Sequence, residues 1–114
     1  MTVHAVGALP DAPLAAAAKF HADVLPAALT ALAGSGDHLV LVFAPADHTH
    51  RGWRLAAVQE LARAHAPRRV NAVASDDEPA IAAAVAWLGT APGVTGQYLP
   101  LDGAGAEAYL SSQS

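Results

Sequence analysis

The sequence predicts an α/β fold of about four parallel strands in the order β-α-β-α-β-α-β. Three observations lead there. Short apolar runs bounded by turn residues alternate with longer alanine-rich runs, the pattern of a parallel sheet whose strands are joined by helices. The clearest strand, DHLVLVFA at 37–44, is continuously apolar and β-branched rather than alternating, as a strand buried on both faces should be. Finally, 114 residues that are 54% hydrophobic suffice for one buried core.

Taken in order, VHAVG at 3–7 reads as a first strand, and Pro10, Asp11 and Pro13 turn the chain into a helix. Residues 13–33 read as helix, which Pro26 must kink or divide because it lacks a backbone donor. Gly34-Ser35-Gly36 ends it. The second strand is 37–44, and 45–50 is a loop. Residues 51–66 form the next helix, with Leu55, Val58, Leu61 and Ala62 on one face. Trp53, Ala57 and Ala64 make a second apolar stripe, where a lone helix should be polar. Pro67 stops the helix. Arg68–Ala74 is the third strand. Asp76, Asp77 and Glu78 put negative charge at the start of the third helix, where its dipole favours it. That helix runs through Leu88 and is apolar nearly all round. Gln97–Leu101 is the last strand. One domain spans 1–103, and 104–114 is a tail.

Composition narrows the function classes. Charged residues make up 14% of the chain, against about 25% in ordinary soluble domains. So little charge on a small chain implies cover from another subunit. A net charge of −4 with one Lys and five Arg argues against nucleic acid and anionic membrane. With no cysteine, disulfides and thiolate chemistry are excluded. The N-terminus carries no signal-peptide pattern, and no apolar run is long enough to span a bilayer. The expected location is cytoplasmic.

Among residues able to do chemistry, Asp47, His48 and His50 form the sharpest cluster, at the C-terminal end of a strand where parallel sheets place their sites. Histidine there exchanges protons or binds a metal; the alternative is a solvated loop with His50 near a helix start. Two histidines alone do not make a metal site, and no metal is expected. Arg68-Arg69 either caps the carbonyls of the preceding helix or binds an anion. Trp53 and Trp87 read as core or interface anchors, with a ligand pocket as the alternative. The expected interface set is Trp53, Ala57, Ala64 and Trp87.

Residues 68–103, RRVNAVASDDEPAIAAAVAWLGTAPGVTGQYLPLDG, resemble the C-terminal half of the short-chain dehydrogenase/reductases. There an RVNAVAPG-like strand is followed by a helix ending in WL or FL, then a TGQ-x-L-x-x-DG strand. Segments 25–42, 51–67 and 3–7 resemble that family's fourth helix and fifth strand, its fifth helix, and its fourth strand. The resemblance implies half of a Rossmann-like fold. It also exposes what this sequence departs from. The family's glycine-rich cofactor turn has no counterpart. Its catalytic Ser position falls near Ala44-Pro45, and its Tyr and Lys positions fall near Arg51 and Leu55. The single Lys is Lys19, and the tyrosines are Tyr98 and Tyr109. No cofactor is therefore expected.

Three functions stay open at this point. The first is a non-catalytic family member that acts by oligomerising, with itself or as an accessory or regulatory subunit of a full-length reductase. The second is a small cofactor-independent isomerase, dehydratase or cyclase using Asp47, His48 or His50. The third is one half of a heteromeric NAD(P)-dependent oxidoreductase.

Overall fold

A computed structural model describes residues 1–101; the tail expected at 104–114 lies outside them. The four strands, β1 (Thr2–Ala5), β2 (His38–Phe43), β3 (Arg69–Ala74) and β4 (Tyr98–Pro100), lie in the order β1-β2-β3-β4, all parallel. Each strand thus pairs with its sequence neighbour through a helical connection, and the α/β, Rossmann-like arrangement expected from the sequence is the one observed.

The helices divide between the two faces. On one face lie α1 (Pro13–Lys19), α2 (Leu25–Ser35) and α3 (Arg51–Ala64). Together with the turn Phe20–Val24 between the first two, they bury Phe20, Leu32 and Val58 against Leu39, Leu41 and Phe43 of β2 and Val70 and Ala72 of β3. On the other face α4 (Glu78–Gly89) lays Ala84 and Leu88 on Val40, Val73 and Leu99. β2 and β3 are buried on both faces, which is why neither alternates in sequence.

The long first helical run is continuous but not uniform. Phe20–Val24 widens into a π-helical turn, so that the Leu25 N–H reaches back to the Phe20 carbonyl. Pro26 then enters at the first turn of α2. A proline ring clashes with the carbonyl four residues earlier in a regular helix, and one wider turn makes room for it. The kink expected at Pro26 is thus taken up just before it.

α4 starts as its charges suggested. The Asp77 carboxylate accepts from the Ala80 N–H at 3.3 Å, and Glu78 lies in the first turn. At the N-terminal ends of the strands the chain is held by side chains. Asn71, fully buried, donates to the Val94 carbonyl and accepts from the Gln97 N–H. Arg69 Nη1 donates to the carbonyls of Leu88, Ala91 and Val94. Arg69 therefore caps the helix that follows it, not the one before, because β3 runs beside the loop that α4 feeds. Arg68 is exposed.

Candidate functional site

The connections that leave β1 and β2 at their C-terminal ends enclose a cleft of about 450 Å³. One wall is the turn after β1, where Gly7 adopts φ +83°, followed by Leu9, Pro10 and Asp11. The other wall is Ala44–Asp47, and His50 and Arg54 complete the lining. Parallel sheets place ligands at this end, where the connecting loops diverge from the strands.

Asp47, His48 and His50 meet different fates here. Asp47 begins the single 3₁₀ turn His48–His50; its carboxylate accepts from both the backbone N–H and the hydroxyl of Thr49. Those two bonds, the hydroxyl first, hold its pKa below the ordinary carboxylate value, so Asp47 is an anion at the cleft rim. His48 is exposed and is not among the lining residues. His50 is buried and has both ring nitrogens engaged: Nδ1 accepts from Trp53 Nε1 at 3.2 Å, and Nε2 donates to the Asp11 carbonyl at 2.8 Å. Indole N–H only donates, which puts the imidazole proton on Nε2. His50 is a strut joining α3 to the β1–α1 connection.

Arg54, which sequence reasoning passed over, occupies the floor. It is only 3% exposed. Its Nη1 donates to the Ala44 carbonyl at 2.9 Å and the Tyr98 hydroxyl at 3.1 Å, and its Cζ lies 4.5 Å from the centre of the Phe43 ring. Its Nε has no hydrogen-bond partner. The signal was its spacing: Arg54 precedes Val58 by four residues and Leu61 by seven, the core-facing rhythm of α3.

The expected interface residues are placed as follows. Trp53 is half-buried in an aromatic cluster, with ring centres 5.5 Å from Phe20 and 5.8 Å from Phe43. Ala57 is buried in the same core. The first helical run thus covers part of the stripe that looked free in sequence. Ala64 is exposed and borders a shallow groove with Leu25 and Leu29. Trp87 is half-buried against the α4 core.

Arg51 is exposed at the start of α3, and Leu55 is half-buried on the first core. Neither carries a phenol or amine to the cleft. The turn after β1 contains Gly7 alone where a dinucleotide site needs several glycines. Among the described residues, no three His, Asp or Glu side chains converge as metal ligands, and no helix is long and apolar enough to cross a membrane.

A family model described as SDR-like, short chain dehydrogenase-like protein, matches residues 4–101. No curated protein matches the chain significantly, nor does any solved structure.

Proposed function

The chain belongs to the short-chain dehydrogenase-like family, and from that premise we propose that it acts by association rather than catalysis, as an accessory or regulatory subunit docked on a full-length reductase. The observation that carries this reading is the condition of β1. Within the described residues β1 pairs on one side only, with β2. On the α4 side of the sheet Val3, in register with buried Val40, is 48% exposed, and Met1 is 50% exposed. An edge strand presents unpaired N–H and C=O groups that invite another strand, and uncovered apolar side chains beside it invite packing. A partner that continues the sheet past β1 satisfies both together.

The cleft supports the absence of reductase chemistry. The positions that resemble the family's Ser, Tyr and Lys hold no such groups, and His50 has no ring nitrogen free to exchange a proton. That geometry also counts against the cofactor-independent enzyme built on His50.

The test is the native mass of the tagged chain recovered from its own host, compared with Val3→Lys. Val3 is half exposed, so this variant costs about 0.5 kcal/mol or less in folding, while a charge on an edge strand blocks pairing. The expected result is a complex with a full-length reductase that Val3→Lys dissociates. A homo-oligomer alone, a monomer, or a complex indifferent to Val3→Lys overturns the proposal.

A further inference from the structure

We infer that the cleft at the C-terminal ends of β1 and β2 binds a small organic monocarboxylate, with the Arg54 guanidinium as its counter-ion. Arg54 has no ion-pair partner among the described residues. Arginine cannot shed its proton in a protein, and a buried cation lacking an anion costs several kcal/mol. Arg54 is 97% withdrawn from solvent (3% exposed), yet its partners are a carbonyl, a phenol and an aromatic face, all neutral.

The geometry of the unused groups indicates what the ligand must present. Both hydrogen bonds leave from Nη1, and Nε is unpartnered. The edge formed by Nε and Nη2 is the fork with which arginine grips two oxygens of one planar or tetrahedral anion. That edge has no protein acceptor assigned to it, and the side chain lies on the floor of a cleft of about 450 Å³, a size suited to small organic ligands. Leu9, Pro10 and Pro45 supply apolar wall for the body of the ligand.

The rim decides between anions. Asp47 is held ionised by Thr49, and Asp11 stands on the opposite wall. Neither rim carboxylate pairs with Arg54, but both lie on the cleft that an anion must enter, and they repel a dianion more strongly than a single charge. A monocarboxylate therefore fits, and phosphate does not. Asp11 and Asp47 are in turn placed to accept from hydroxyl or amine groups carried on such a molecule.

The experiment titrates the full chain with benzoate, with its neutral counterpart benzamide, and with inorganic phosphate, at constant ionic strength. Binding is read from the backbone amide shifts of Gly7 and Ala46 and the Arg54 Nε–H resonance. Benzoate is expected to move all three, benzamide and phosphate much less. Arg54→Lys keeps the charge but loses the fork, and should weaken benzoate about tenfold. Asp47→Asn removes rim repulsion and should tighten it severalfold. If Arg54→Lys fails to fold, the wild-type resonances and Asp47→Asn still decide. Equal binding of benzoate and benzamide, tighter binding of phosphate, or no response to either substitution overturns the inference.

Discussion

His38 makes the fold acid-sensitive through one identifiable proton. It opens β2, is 1% exposed, and its Nε2 accepts from the Asn71 amide at 3.1 Å. The proton therefore sits on Nδ1, which finds no partner. Burial foremost, then the positive charge of Arg69 beside it in register, pulls its pKa from 6.5 to about 4; Asp37 opposes this and the N-terminal amine adds to it. The folded chain thus takes up a second ring proton, on Nε2, more weakly than the unfolded chain does. Above pH 6.5 both states are neutral at His38 and nothing is lost. Between 6.5 and 4 the unfolded chain takes up a proton that the folded chain refuses, so stability falls as pH falls. At about 1.4 kcal/mol per pH unit, this window amounts to roughly 3 kcal/mol. Urea unfolding of the wild type and of His38→Gln at several pH values isolates the effect. Glutamine still accepts from Asn71 and does not titrate, and comparing the pH slopes removes its own cost. The other histidines and the carboxylates contribute equally to both proteins. The wild type should lose roughly 3 kcal/mol more than His38→Gln between pH 7 and 4, with a ring titration midpoint near 4. Parallel profiles, or a midpoint near 6.5, refute the reasoning.

Three further outcomes follow from single contacts. Asn71→Leu strands the Gln97 N–H and leaves the Val94 carbonyl with Arg69 alone; it should cost about 1–3 kcal/mol by urea denaturation, with faster hydrogen exchange at Gln97. Arg69→Met removes the donor shared by the Leu88, Ala91 and Val94 carbonyls, each of which keeps one other partner; it should cost about 1 kcal/mol and speed exchange at Thr90, Ala91 and Val94 before the rest of the fold. Asp77→Ala removes the acceptor for the Ala80 N–H and should cost about 1 kcal/mol, whereas Asp77→Asn should stay near wild type in thermal melts.

What could be read from the sequence was whatever has a period or a punctuation mark. The strands at 37–44 and 68–74 announced themselves because β2 and β3 are buried on both faces and must be apolar at every position. The acidic start of α4 was legible because a cap is local. The second stripe on α3 was harder. Trp53 and Ala57 look free in a helical projection, and they are covered because the π turn carries Phe20 onto them. No local pattern encodes that contact. The histidines misdirected attention for a similar reason: nothing within 45–53 reveals that the Asp11 carbonyl, 39 residues before His50, receives its proton.

Two buried nitrogens lack partners, His38 Nδ1 and Arg54 Nε, and they lie at opposite ends of the strands with opposite meanings. A histidine in that predicament has a way out, since it sheds its charge and remains as a neutral member of the core. The displaced pKa of His38 is that escape: an unpaired neutral N–H costs far less than an unpaired charge. An arginine has no such exit. Its charge persists whatever the surroundings, and neither the Ala44 carbonyl nor the Tyr98 hydroxyl neutralises it. A methionine at that position would pack without the cost of an unmatched buried charge. An arginine at a core position of α3, lining a cleft at the C-terminal end of a parallel sheet, is therefore better explained by a visiting anion than by stability. The two orphans thus separate by experiment: acid destabilises the chain through His38, whereas a carboxylate stabilises it through Arg54.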